Sequence, residues 1–172
     1  SLAWADYDND GNLDLAVSGR DPYFNTVLKL YRNRPAGGAR AELSEDSDFS
    51  VGLQAVDGPL DWIDYDSDGD LDLVVTGRTK LSDHRAAVFE NAEGLVSVDG
   101  HAENTTFQLV GLSGGTALWA DYNSDGRVDL LITGVDESGE RLSLVYVSRA
   151  KENENPEPPP SLNPARVTGS RV

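Results

Sequence analysis

A nine-residue segment rich in aspartate occurs three times in the chain and constrains its fold more than any other feature. The copies span residues 6–14, 64–72 and 121–129, with oxygen-bearing side chains at segment positions 1, 3, 5 and 9. Position 6 is glycine in each copy, and a positive φ there can bring position 9 back toward the others. Carboxylates at this density repel one another unless a cation lies among them. The pattern therefore predicts three loops, each folded around a cation.

All the predicted ligands are oxygen atoms, which favours a hard cation. A loose arrangement of about six or seven oxygens suits Ca²⁺ better than Mg²⁺. The backbone carbonyl of position 7 would complete the set, which explains why Asn12, Asp70 and Arg127 can differ so freely there. We therefore predict three Ca²⁺ sites formed by Asp6, Asp8, Asp10, Asn12 and Asp14, by Asp64, Asp66, Asp68, Asp70 and Asp72, and by Asp121, Asn123, Asp125, Arg127 and Asp129.

The segment does not fit an EF-hand, which needs a bidentate glutamate at position 12 and a helix on each side. Position 12 is Val17, Val75 or Ile132, each within an apolar run, so Asp at position 9 takes the role of that glutamate. The alternative is an ordinary Asp- and Gly-rich turn between two strands. Three copies with the same flanking residues favour the metal loop over that alternative.

The repeat extends well beyond the loop. Trp4, Trp62 and Trp119 precede the loops by two residues and are spaced 58 and 57 residues apart. One such unit contains about four short β-type runs, as in Leu71–Thr76, Ala86–Glu90, Phe107–Val110 and Thr116–Ala120. Such a period is typical of repeat architectures built from one supersecondary unit per repeat.

The runs at 71–76 and 128–133 are apolar at nearly every position after the ligand Asp. A strand of this kind is covered on both faces. Four-stranded units that stack face to face around an axis produce that environment. The sequence therefore predicts an all-β fold: a partial β-propeller of about three four-stranded blades, each with a calcium loop, followed by a Pro-rich tail.

The segment Trp4–Gly19 resembles the FG-GAP/VCBS repeat, and the resemblance extends over residues 1–149. That family builds secreted bacterial propellers and is similar to the calcium-bearing blades of integrin α-subunit heads. The resemblance implies that each loop joins the innermost strand of a blade to the next strand and binds Ca²⁺ through the residues named above. The Phe-Gly pair that gives the family part of its name is not present as such.

The repeats divide the chain into units at 1–58, 59–115 and 116–149. Three units do not close a propeller, so we expect the C-terminal part of a longer one; the alternative is that several chains share one ring. Pro164 stands where the repeat spacing calls for an aromatic residue. We therefore expect the third unit to lack its outermost strand, which another segment would have to supply.

Residues 150–172 differ in composition from the repeats, with four prolines in 156–160. This segment is predicted to be a Pro-rich linker. Its end faintly resembles the opening strand of a fibronectin type III-like module.

The charge balance bears on partners and location. Lys and Arg number 14 against 30 Asp and Glu, giving a formal net charge of −16, which argues against nucleic acid or an anionic membrane as partner. No apolar run is long enough for membrane insertion. Cysteine is absent, so calcium loops rather than disulfides would cross-link the chain, as suits a secreted or cell-surface protein in millimolar Ca²⁺.

We expect no enzymatic activity. The acidic residues are accounted for by metal binding, and His84 and His101 have no counterparts in the other repeats. The predicted function is a calcium-stabilised structural, adhesion or interaction module, whose partner is a protein, a glycan or the remaining blades of the same propeller. The alternative is an accessory ligand- or glycan-binding propeller attached to a secreted carbohydrate-active or other hydrolytic enzyme. Tyr23 and Phe24 are the one exposed aromatic pair expected in the loops, which favours the first hypothesis.

Overall fold

The computed structural model describes residues 1–35, 42–46, 56–91, 109–149 and 161–166. Within these ranges the chain is all-β, and its strands form three small antiparallel sheets. The same ranges contain no helix with the length and apolar character needed to cross a membrane.

Sheet one contains four strands in sequential order: β1 (Leu2–Ala5), β2 (Asp14–Arg20), β3 (Thr26–Asn33) and β4 (Leu43–Glu45). Sequential antiparallel strands need only short connections, and the acidic loop is the connection between β1 and β2. The register places Trp4 opposite Leu15, and Leu15 opposite Tyr31, so all three lie on one face.

Sheet two contains β5 (Leu60–Ile63), β6 (Asp72–Arg78) and β7 (His84–Phe89). Strands β6 and β7 agree with the predicted runs Leu71–Thr76 and Ala86–Glu90, and the predicted run Thr116–Ala120 corresponds to the strand Ala117–Ala120 of the next sheet. Of the predicted strand Phe107–Val110, residues 107 and 108 lie outside the described residues, and residues 109 and 110 are not in a strand.

Sheet three contains β8 (Ala117–Ala120), β9 (Asp129–Val135), β10 (Arg141–Arg149) and β11 (Ser161–Arg166). The expectation that this unit lacks its outermost strand is therefore wrong, because residues 161–166 of the predicted linker pair with β10. Pro164 lies opposite Tyr146 in that pairing. Among the described strands β11 is an edge strand, and a proline is tolerated in such a position.

The sheets stack in sequence order, and β5 lies beside both β1 and β8. Alternate residues of β6 enter two different cores: Leu73 and Val75 pack toward sheet one, whereas Val74 packs toward sheet three. The prediction that β6 is covered on both faces is confirmed. It is wrong for β9, where Ile132 is buried but Leu131 is only half-buried, because sheet three is the last of the described sheets.

The recurring tryptophans have a clear packing role. Trp62 stacks on Tyr7 of sheet one, with ring centroids 5.9 Å apart and planes inclined by 19°. Trp119 stacks on Tyr65 of sheet two at 6.4 Å and 18°. Each tryptophan therefore joins its sheet to the acidic loop of the preceding sheet, since both tyrosines occupy position 2 of that loop.

Glycine recurs just before the first strands of sheets two and three, where the backbone comes very close to the second strand of the same sheet. A Cβ placed on Gly58 would lie 1.9 Å from the Thr76 carbonyl oxygen, and one on Gly115 would lie 1.9 Å from the Thr133 carbonyl oxygen. Only glycine permits such an approach between two backbones.

Candidate metal centres

The three acidic loops occupy equivalent places, each joining the first strand of a sheet to the second. Position 6 is left-handed as predicted, with φ values of 87°, 98° and 85° at Gly11, Gly69 and Gly126. Position 4 is left-handed as well, although Ser67 and Ser124 there are not residues that favour this conformation. The loops thus turn sharply twice, which directs positions 1, 3 and 9 to one side.

Backbone N–H groups hold the acidic side chains in place. The position-1 carboxylate accepts the N–H of the position-6 glycine at 2.9, 3.1 and 3.0 Å in the three loops. The position-5 carboxylate accepts the N–H of position 7 at 2.8, 2.9 and 3.0 Å. This repeated network orients the side chains of positions 1 and 5.

The aspartate at position 9 has a second role, which the sequence reasoning missed. Its carboxylate is buried in all three loops and accepts the N–H of a residue within two positions of the end of the third strand of the sheet. Asp14 bonds to Asn33 at 2.7 Å, Asp72 to Asn91 at 2.8 Å, and Asp129 to Ser148 at 2.9 Å. The three donor residues are all polar and lie one repeat apart in the sequence, which is the signal that could have revealed this contact.

The first two loops each bring three carboxylates together. In the first loop, oxygens of Asp6, Asp8 and Asp14 all lie within 4.8 Å of one another, and in the second loop those of Asp64, Asp66 and Asp72 do the same. These are positions 1, 3 and 9 of the predicted ligand sets. The position-5 residues Asp10 and Asp68 are not members of these two groups of described residues.

The first site has a feature that fits a cation. Within the described part of the chain, Asp6 Oδ1, Asp8 Oδ1 and Asp14 Oδ2 are buried and have no hydrogen-bond partner. A buried polar atom without a partner costs about 1–3 kcal/mol, and more when it is charged. One oxygen from each member of the group is left in this state, so a single hard divalent cation would satisfy all three.

Burial and the crowding of carboxylates raise the pKa values of several of these aspartates. Burial raises the pKa of Asp72 to about 8, although N–H groups of Asn91 and Tyr65 act in the opposite direction. Burial also raises the pKa of Asp14 and that of Asp66 to about 6, with nearby carboxylates adding to both shifts. Carboxylates that are gathered and desolvated in this way bind protons more readily unless a cation is present.

The third loop is more open than the other two. Asp121 and Asn123 are exposed, whereas Asp6, Asp8, Asp64 and Asp66 are half-buried. The amide oxygen of Asn123 accepts the N–H of Asp125 at 2.9 Å, in the place of a position-3 carboxylate. This site therefore offers less negative charge and less shielding from water than the first two.

Charged residues outside the loops distinguish the first two sites. Arg32 Nη1 and Arg34 Nη2 lie 3.8 and 4.0 Å from Asp8 Oδ2, and Arg32 also pairs with Asp46 at 2.7 Å. One repeat later, Glu90 stands at the position of Arg32 and raises the pKa of Asp66. The first site thus has neighbouring cations and the second a neighbouring anion, and the loop motif alone gave no indication of either.

The remaining singled-out residues lie away from the loops. His84 receives a hydrogen bond at Nε2 from Arg78 Nε at 3.1 Å, whereas His101 lies outside the described residues. Tyr23 and Phe24, in the turn between β2 and β3, are 84% and 76% exposed. Neither feature brings a titratable group close to the acidic clusters.

Comparison with known protein families gives a match over part of the chain. Residues 64–132 match the model described as FG-GAP-like repeat. The matched region begins at the first residue of the second acidic loop and ends within β9. No curated protein and no solved structure matches the chain.

Proposed function

Residues 64–132 match the FG-GAP-like repeat, and from that match we propose that the chain belongs to this family and is a calcium-stabilised segment of a β-propeller in a secreted or cell-surface protein. Its role is structural: it holds loops in fixed positions for adhesion or for interaction with a protein or glycan partner. No catalytic step is part of this proposal.

The observation that carries the proposal is the trio of buried oxygens in the first site. Asp6, Asp8 and Asp14 each leave one buried oxygen with no hydrogen-bond partner among the described residues. The second loop gathers the same three positions, with Asp72 fully buried. Carboxylates in this state are stabilised by a hard cation, and oxygen-only donor sets favour Ca²⁺.

Calcium would supply positive charge and a cross-link at these positions. Positions 1, 3 and 9 would hold the ion, while the position-9 residues Asp14, Asp72 and Asp129 keep their bonds to the third strand. An ion bound there would link the first, second and third strands of a sheet. The fixed N–H network of each loop orients the carboxylates before binding, which lowers the entropic cost of closing the site.

The propeller part of the proposal is supported by how the sheets stack. The first strands β1, β5 and β8 lie side by side, and each sheet presents a face to the next. Radial repetition of small antiparallel sheets with neighbouring first strands is the arrangement of a propeller. The extracellular location is proposed because millimolar calcium is available outside cells to fill such sites.

The test is thermal unfolding of the Asp66→Ala variant in calcium and in excess chelator. We expect the wild-type protein to melt at a lower temperature in chelator, and the variant to lose part of that difference. Asp83→Ala is the matched control. Asp83 is exposed in the β6–β7 turn, so this substitution also removes one negative charge but does so away from the acidic loops. If the melting temperature of Asp66→Ala responded to calcium as strongly as those of the wild type and the control, the proposal would be contradicted.

A second candidate function follows from the exposed aromatic pair. Tyr23 and Phe24 project from one hairpin turn, and flat exposed rings of this kind suit stacking on sugars. Under this alternative the segment is an accessory glycan-binding propeller of a secreted hydrolytic enzyme. Binding to a glycan array that disappears in the Tyr23→Ala variant would favour it, whereas an array without signal would leave the structural role.

A further inference from the structure

Two hydrogen bonds join the first acidic loop directly to the second site. The Asn9 side-chain amide, at position 4 of the first loop, donates to Asp70 Oδ1, at position 7 of the second loop, at 2.7 Å. The Asn91 side-chain amide donates to the main-chain carbonyl of Tyr7, at position 2 of the first loop, also at 2.7 Å. Asn91 belongs to the second site, because its N–H is bonded to Asp72. The two candidate sites are therefore in contact through the chain's own groups.

The first of these bonds lies beside the position-5 aspartates. Asn9 stands between the predicted ligands Asp8 and Asp10. Asp70 is itself predicted to bind through its carbonyl, and its N–H donates to the predicted ligand Asp68 at 2.9 Å. Asp10 and Asp68 are outside the two groups of gathered carboxylates found among the described residues. Ligation by these two side chains therefore requires both loops to rearrange next to the bond that joins them.

The second bond reaches a buried part of the second site, at the junction between sheets one and two. Asn91 and Asp72 are both fully buried, and the Asn91 amide also donates to the Leu71 carbonyl of its own sheet at 3.1 Å. The Tyr7 ring is stacked on Trp62. Because a packed interior has few voids in which a group can shift alone, a movement of the Tyr7 backbone displaces Asn91 and the Asp72 carboxylate bonded to it.

The second and third sites are not joined in this way. Position 4 of the second loop is Ser67 and position 7 of the third is Arg127, and within the described ranges no hydrogen bond joins these two residues. One repeat after Asn91 stands Ser148, whose hydroxyl is buried and has no hydrogen-bond partner in the part of the chain that the structure describes. The chain therefore contains one pair of neighbouring sites with these contacts and one pair without them.

We propose that the first and second calcium sites are coupled, so that filling of either raises the affinity of the other, whereas the third site fills independently. Asn9 and Asn91 are the coupling residues. When one loop is ordered around its ligand, these two side chains hold the other loop in place, so its own ordering costs less entropy. Hydrogen bonds and packed side chains of this kind are the usual carriers of coupling between sites.

Direct repulsion between the two ions acts in the opposite sense. Asn9, Asp10 and Asp68 are exposed, so the facing parts of the loops are open to water and salt. At physiological ionic strength the Debye length is about 8 Å, and salt weakens this repulsion but not the two hydrogen bonds. We therefore expect the coupling to be positive in physiological salt.

This inference rests on the calcium binding of the proposed function. The independent sign of a ligand is Asp14 Oδ2 in the first site, which is buried and has no hydrogen-bond partner among the described residues.

The test is an NMR titration of the full, isotope-labelled chain with CaCl₂ in physiological salt. The N–H of each position-6 glycine donates to the position-1 carboxylate of its own loop, so Gly11, Gly69 and Gly126 report the filling of the three loops separately. Asp66→Ala disables the second site. We expect it to raise the midpoint calcium concentration at Gly11 by at least about fivefold, and to change that at Gly126 by less than about twofold.

The matched background is the double variant Asn9→Ser/Asn91→Ser, which gives both positions the residue found one repeat later. Ser67 has a φ of 67° and Asn9 one of 56°, so serine fits this turn of the loop. Adding Asp66→Ala to this background removes the same charge and the same ligand. Without the coupling bonds, we expect the midpoint at Gly11 to change by less than about twofold.

Asn33→Ser is the control background, because the Asn33 amide bonds within its own sheet, and it should retain the fivefold effect of Asp66→Ala. An Asp66→Ala variant of the wild type with an unchanged midpoint at Gly11 would overturn the coupling, and so would an equal rise in the double variant. If the double variant does not fold, the exposed Asn9→Ser change alone should reduce the effect, and an undiminished effect would overturn the proposal.

The same titration separates this inference from the proposed function. Loops that fill at midpoints independent of one another would overturn the coupling and leave the calcium role standing. If none of the three glycine signals changed up to about 10 mM calcium, above the range of extracellular calcium modules, both the coupling and the calcium role would be overturned.

Discussion

Asp72 and Asn91 are joined by a hydrogen bond of 2.8 Å, from the Asn91 backbone N–H to Asp72 Oδ1, which fixes the acidic loop to the chain just after β7. The Asn91 side chain also donates to the Tyr7 carbonyl of sheet one. This pair therefore connects a candidate metal site, the third strand of its sheet and the neighbouring sheet.

Replacement of Asn91 should destabilise the protein more than replacement of its repeat equivalent. Asn91→Ala leaves the Tyr7 and Leu71 carbonyls without their buried donor, so we expect a loss of about 2–3 kcal/mol in the free energy of unfolding. Asn33→Ala is the control, because Asn33 is half-buried and its amide bonds within its own sheet. Urea unfolding of both variants measures the difference, and equal losses would contradict a role at the junction.

The glycines just before the first strands of sheets two and three should not tolerate a side chain. Gly58→Ala would bring a Cβ to 1.9 Å from the Thr76 carbonyl oxygen, and we expect a loss of at least about 2 kcal/mol. A Cβ on Gly19 would have no atom within 4 Å, so Gly19→Ala should change stability by less than about 0.5 kcal/mol. Thermal unfolding of the two variants is the measurement, and a well-tolerated Gly58→Ala would mean that the backbone at Gly58 does not approach β6 so closely.

The three sites should differ in calcium affinity, with the second tightest and the third weakest. The second site is flanked by Glu90 and the first by Arg32, whereas the third has the exposed Asn123 in place of a carboxylate. Asn123→Asp and Arg127→Asn should each tighten the third site, by about tenfold at most, because ligand charge tunes such affinities. Calorimetric titration measures this, and no change in either variant would indicate that loop rigidity sets the affinity.

The stability of the calcium-free protein should depend on pH through Asp72. Its pKa of about 8 lies above the ordinary aspartate value of about 3.9, so the folded state binds more protons than the unfolded state between these limits. Stability in chelator should therefore fall as the pH rises from 5 to 8, and the increase in melting temperature caused by calcium should be larger at pH 8.

The Asp72→Asn variant is the control for this pH dependence, since an amide does not titrate in that range. We expect its melting temperature in chelator to change less between pH 5 and pH 8 than that of the wild type. If both proteins responded equally, another group would be responsible for the pH dependence.

Much of the fold follows from the sequence because the repeat carries redundant signals. The spacing of Trp4, Trp62 and Trp119 and the apolar run of β6 predict small stacked sheets, and the structure has three of them. The fourth strand of sheet three was missed because Pro164 breaks the aromatic spacing. Backbone pairing at a sheet edge does not require the aromatic residue and tolerates the proline.

The candidate sites were predictable in their loop positions but not in their surroundings. The three-position groups and the left-handed glycines follow from the local motif. The approach of Arg32 to Asp8 and the anchoring of Asp72 by Asn91 arise from residues 19–24 positions away, brought near by strand pairing. Contacts of this kind depend on register, which the loop motif does not specify.

The most direct test of the calcium account is a crystal structure of the protein grown in millimolar CaCl₂. We predict one ion in each of the three loops, bound by the side-chain oxygens of positions 1, 3, 5 and 9 and the carbonyl of position 7, at about 2.3–2.6 Å. Binding in this way would draw Asp10, Asp68 and Asp125 into the ligand sets. Loops that stay open and without an ion at that calcium concentration would contradict the account.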